Sequence, residues 1–221
     1  LPKWFELRWG LNNSWELLGI NIIDRKRKLF FYFLRGFLLS TILISIILVL
    51  IINTKTGYWL GEISPEILIN AIFLIIGVGF AEELIFRGWL LEEFKNQFGL
   101  KKAILIQASI FSILHIGFDL PFWEMISILT GLFLLGILLS LIRFKDKNSL
   151  WGCIGLHGGL VGLWFMVNNG LLEISKDAPK WLVGPGIFNK NPLGGLVGIS
   201  LMIIFCFLYI QKINNKIENF K

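Results

Sequence analysis

Residues 65–91 read PEILINAIFLIIGVGFAEELIFRGWLL. The run is long and apolar enough to cross a bilayer, which takes about 20 residues. Its second half nevertheless carries Glu82, Glu83 and Arg87. On insertion scales one charged side chain at mid-membrane costs at least about 2.5–3.5 kcal/mol. A stretch that tolerates three of them is either not a membrane span or has a use for the charges. Comparable apolar runs at 29–53, 103–120, 122–143, 149–168 and 193–211 favour the second reading.

Composition agrees. The chain has 221 residues, 55% of them hydrophobic and only 16% charged, with a mean hydropathy of +0.72. Soluble domains carry about 25% charge, so a soluble globular domain is excluded, as are disorder, a collagen, a coiled coil and a disulfide scaffold. The runs predict an all-α fold: a polytopic helical bundle of about six transmembrane helices, with any active site inside it. Period-2 alternation is absent, which argues against an outer-membrane barrel. Residues 1–221 read as a single integral membrane domain. Within it, 1–28 form an interfacial cytoplasmic lead-in with Trp4, Phe5 and Trp9 at headgroup level, and no segment there reads as a cleavable signal. Residues 169–192 form a polar, Gly/Pro-containing connection. Cys153 and Cys206 lie in apolar runs and read as small hydrophobes.

Lys and Arg number 21 against 15 Asp and Glu, a formal charge of +6. In a soluble protein this would suggest nucleic acid; here the basic residues flank spans, so the partners expected are a lipid bilayer and no nucleic acid. With the N-terminus inside, 15 basic residues fall on the cytoplasmic side and 4 on the other. By the positive-inside rule both termini are cytoplasmic, in an inner or plasma-type membrane.

The intramembrane polar groups come from three spans. At about 1.5 Å per residue, Glu82 lies about 14 Å from the inner end of its span, His115 about 18 Å and His157 about 12 Å. These are the chain's 2 histidines. Glu83 and Arg87 are i,i+4 and can neutralise each other. Glu82 has Phe86 at i+4 and no local cation, so it needs a partner from another helix. A buried carboxylate beside two imidazoles can activate water. The same three side chains, with water as fourth ligand, form a catalytic zinc set. The reading is therefore zinc or another divalent metal, or no cofactor at all. Gly158, Gly159 and Gly162 read as close helix packing.

Three segments carry a resemblance. Glu82-Glu83-Leu84-Ile85-Phe86-Arg87 matches an EExxxR motif, Phe111-Ser112-Ile113-Leu114-His115 matches FxxxH, and His157 follows in a late apolar run. In this order the chain resembles the CPBP family of intramembrane endopeptidases, the CAAX-protease and bacteriocin-processing (Abi) family, with 64–168 as the motif-bearing core. The resemblance implies hydrolysis of a peptide bond in a membrane-associated protein or peptide. It implies that Glu82 activates water, that His115 and His157 complete the catalytic site, and that Glu83, Arg87 and Phe111 support it. Val161 stands where the family often has an Asn thought to hold the oxyanion. That departure motivates an alternative, a catalytically reduced binding, scaffold or bacteriocin-immunity protein on the same fold. A transporter is a weaker alternative, since no internal repeat is evident.

Overall fold

The computed structural model describes residues 1–10, 14–20, 26–115, 120–186 and 190–218. Two short helices, α1 (Pro2–Trp9) and α2 (Ser14–Leu17), precede the long α3 (Lys26–Asn53). A continuous helix follows, α4 (Pro65–Phe98), then α5 (Leu100–Leu114), α6 (Phe122–Lys145), α7 (Trp151–Met166), the short α8 (Lys180–Val183) and α9 (Leu196–Glu218). The chain is an all-α polytopic bundle, as its apolar runs predict. Among the described residues four helices can, by length and composition, cross a membrane: α3 from Arg27, α4, α6 and α9 to Ile213. The other two expected spans are shorter helices, α5 with 15 residues and α7 with 16. Of the sequence expectations, residues 11–13 and 21–25 of the lead-in, 116–119 of the third span and 187–189 of the polar connection lie outside the described residues.

Helix α5 ends at Leu114. The reason is local. The last carbonyls of a helix lack intrahelical donors, and the His115 ring turns back so that its Nδ1 meets the Phe111 carbonyl at 2.7 Å. The His115 imidazole thus caps its own helix.

One antiparallel pair is added that the sequence did not suggest: β1 (Gly57–Trp59) with β2 (Leu172–Ile174), in the register Tyr58 opposite Glu173. It ties the connection after α3 to the connection after α7.

Helix α7 runs at the centre, packed along α3 on one side and α4 on the other. Glycines permit both approaches. A Cβ on Gly155 would overlap the Phe33 carbonyl of α3, and one on Gly158 the Ile75 carbonyl of α4. On the α4 side Gly79 reciprocates, since a Cβ there would come within 2.9 Å of Gly158 Cα. Outward faces of α3, α4 and α9 are apolar and exposed, with Phe30, Phe73, Ile76 and Phe207 among them; lipid covers such faces without cost.

The lead-in is docked rather than free. Glu93 of α4 accepts from Trp9 Nε1 at 2.8 Å, Arg8 Nε at 2.5 Å and Trp4 Nε1 at 3.3 Å, and Phe5 is buried against the bundle.

Candidate active site

Helix α4 departs from α geometry twice. Leu74–Val78 and Leu84–Leu90 are π-turns, and the five α-helical residues between them, Gly79–Glu83, end in the two glutamates. Wide turns of this kind insert a residue into the ladder and recur at functional sites. Here they leave Glu82 and Glu83 on adjacent sides of one turn, flanking the imidazole of α7.

Glu82 Oε2 lies 3.0 Å from His115 Nε2 and 3.8 Å from His157 Nε2. The structure therefore brings together the three residues expected to share a site. Glu83 lies behind them. Its Oε1 accepts from Arg87 Nη1 at 2.9 Å and from His157 Nδ1 at 2.8 Å. Exposure separates the two glutamates: Glu82 and His115 side chains are 28% and 29% accessible, while Glu83 and Arg87 are at 0%.

Phe111 holds three partners at once. Its ring lies 4.1 Å under the Arg87 guanidinium, stacks tilted on His115 at 4.4 Å and meets His157 edge-on at 5.5 Å. An aromatic face in this position stabilises a desolvated cation, and Arg87 Nη2 and Nε have no hydrogen-bond partner among the described residues.

The hydrogen bonds fix where protons sit. A carbonyl and a carboxylate only accept, so both imidazoles carry hydrogen on Nδ1. If both were neutral, both Nε2 atoms would be bare. The 3.0 Å contact between His115 Nε2 and Glu82 Oε2 then requires one further proton, shared between them. At 3.8 Å His157 Nε2 is beyond hydrogen-bond range of Glu82 and within reach of a water between the two.

The same orientation suits a metal. Ligands at about 2.0–2.1 Å on a tetrahedral zinc stand roughly 3.3 Å apart, a value bracketed by the 3.0 and 3.8 Å separations. Metal-bound imidazoles typically give their second nitrogen to a carboxylate or carbonyl, and Glu83 and the Phe111 carbonyl occupy those places. As arranged, though, no group of three or more His, Cys, Asp or Glu among the described residues is spaced as a finished metal cage. Glu82 bonds His115 directly, and a metal requires that contact to open by a few tenths of an ångström. The donor types fit; the spacing needs adjustment.

Glu82, His115 and His157 line one cavity of about 620 Å³. Its walls are mostly apolar, from Leu43 and Ile47 of α3, Leu135 of α6 and Met202 of α9, while Asn168, Asn169 and Lys190 also border it. Val161, one turn beyond His157, lines it too.

The bond from Glu83 to His157 makes Glu83 more than a neutraliser of Arg87. Sequence reasoning missed Arg143, which counts there among the basic residues flanking spans and whose guanidinium is fully buried.

Residues 64–163 match the Rce1-like family, described as type II CAAX prenyl endopeptidase Rce1-like. The matched segment contains all the motif residues named above. No curated protein and no solved structure matches the chain.

Proposed function

From the chain's membership of this CAAX-protease family, we propose that it is an intramembrane endopeptidase that cleaves a peptide bond of a membrane-associated protein or peptide. The observation that carries the reading is the convergence of Glu82, His115 and His157 on one cavity inside the bundle.

In this reading a water sits between Glu82 Oε2 and His157 Nε2. Glu82 takes its proton as the hydroxyl attacks the scissile carbonyl. His115, doubly protonated beside the Glu82 carboxylate, supplies positive charge near the oxyanion, and the proton gained by Glu82 passes to the leaving amine. Positioned acid–base groups contribute about 10²–10⁴-fold, and the largely apolar walls keep competing water out. Glu83, fixed by Arg87, holds the His157 tautomer with Nε2 facing the water. Where zinc or another divalent metal is bound, Glu82, His115 and His157 hold it, and it lowers the pKa of its water to about 7. The protein lies in an inner or plasma-type membrane with both termini cytoplasmic and functions as one membrane domain.

A second reading rests on Val161. Its side chain borders the cavity and cannot donate a hydrogen bond to an oxyanion, which favours a binding protein on the protease fold. One experiment separates the two. Peptides of membrane and secreted fractions are compared between strains carrying the wild-type chain and Glu82→Gln. Fragments present in the first and missing in the second support hydrolysis; identical profiles, with both proteins folded and equally abundant, support binding.

A further inference from the structure

Arg143 lies at the end of α6 and is wholly buried. Its guanidinium reaches four groups on three segments. Nη2 donates to the Leu17 carbonyl at 2.6 Å and stands 3.0 Å from Glu92 Oε1. Nε points to the Asn148 carbonyl at 3.4 Å. Nη1 donates to the backbone carbonyl of Arg87.

That last acceptor is distinctive. In an α-helix the Leu91 N–H would bond the carbonyl four residues back, at Arg87. In the π-turn it bonds Phe86 instead. The wide turn thus removes the Arg87 carbonyl's usual donor, and a buried carbonyl without one is costly. Arg143 supplies a donor from another helix. From there the contacts continue inward, from the Arg87 guanidinium to Glu83 at 2.9 Å and from Glu83 to His157 Nδ1 at 2.8 Å.

We propose that Arg143 is a positioning residue for the site: it holds the second π-turn of α4 in place at Arg87 and, through Arg87 and Glu83, fixes the tautomer of His157. The role rests on His157 belonging to the site, and its test does not need a substrate. The chain has 2 histidines, so ¹⁵N-histidine spectra of the full protein in nanodiscs contain two imidazoles, assigned with His115→Gln. A hydrogen bond to a carboxylate favours one tautomer by about tenfold or more, so wild-type His157 is dominated by the Nδ1–H form, with the other tautomer a minor species.

Arg143→Lys keeps a cation opposite Glu92 but loses the planar fork that spans several carbonyls. The expected result is a folded protein in which the minor His157 tautomer rises about tenfold while His115 signals stay in place. Glu83→Gln reproduces the shift. Glu92→Gln, which removes the ion pair and leaves the bond to the Arg87 carbonyl, does not. The proposal is overturned by unmoved His157 signals in folded Arg143→Lys, by Glu92→Gln shifting them as far as Arg143→Lys does, or by an Arg143→Lys chain that does not fold, which would make the residue a fold support alone. A peptide profile indifferent to Glu82→Gln would reject the hydrolase reading and leave these ring signals as they are.

Discussion

Replacing Arg87 with Ala tests the energetics behind the site. Both Arg87 and Glu83 side chains have 0% exposure and meet at 2.9 Å. Removing one partner of a buried pair costs about 3–5 kcal/mol, because the other charge is left unpaired in a low dielectric. Glu83 would keep a single donor, His157 Nδ1. The truncation also removes the cation from the Phe111 face at 4.1 Å, an interaction worth about 2 kcal/mol when desolvated. The two losses share a side chain and do not add fully, so about 4 kcal/mol is a fair total. At roughly 2–4 °C per kcal/mol for a chain of this size, thermal unfolding in detergent should fall by about 8–16 °C, with a matching drop in folded yield. The double variant Glu83→Gln, Arg87→Met removes both charges at similar volume and should recover most of the loss, since apolar replacement of a buried pair is often neutral. An unchanged melting temperature in Arg87→Ala, or a double variant no better than the single one, would refute the buried-pair argument; an unchanged temperature with lost cleavage would move Arg87 into the chemistry itself.

Four further outcomes are expected. Tyr58→Cys and Lys180→Cys should label from the outer face only, while the buried Cys153 and Cys206 stay silent; labelling of either engineered site only from the cytoplasm reverses the topology. Gly57 is a poor probe position, since a Cβ there meets Ile51 Cγ2 at 2.7 Å. Gly158→Ala drives a methyl into the Ile75 carbonyl and should cost about 1–3 kcal/mol, whereas Gly77→Ala, with nothing within 4 Å of its new Cβ, should be neutral or stabilising by up to about 1 kcal/mol; equal melting temperatures would contradict the packing. Val161→Asn should raise turnover by at least about tenfold, part of the 10²–10³ an oxyanion donor supplies, and an unchanged rate means that this position does not face the reacting carbonyl. With Glu82 as base, elemental analysis of purified protein should find well under one equivalent of metal and cleavage should survive a strong chelator; stoichiometric zinc that disappears in His115→Ala makes the metal the water activator.

The helical bundle was legible because apolar run length is a direct readout of bilayer thickness, and every apolar run became a helix. Convergence of Glu82 with His115 and His157 was legible for a different reason. An unpaired carboxylate and two isolated imidazoles in apolar surroundings have only one another to satisfy them, and their depths agreed. Which histidine Glu83 serves was not legible, since helical-wheel arithmetic at 100° per residue fails across the π-turns of α4. The strands β1 and β2 have three residues each, too short for any periodicity, and their partners are far apart in sequence. Docking of Trp4, Arg8 and Trp9 on Glu93 depends on tertiary placement, which local pattern does not encode.

The glycines of α7 bear on how the protein is made. The helix is buried continuously from Gly152 to Leu160, and its close packing on two sides depends on residues that have almost no side chain to offer lipid. With 16 residues it is shorter than the about 20 that span a bilayer, and it carries His157. A helix this short bridges the hydrocarbon poorly when it leaves the translocon alone. It becomes a stable part of the membrane only by sliding between α3 and α4, both synthesised earlier. The order of synthesis therefore leaves His157 for last of the three: Glu82 and His115 are already in the bilayer when α7 arrives, and the cluster they form with His157 is completed as α7 docks.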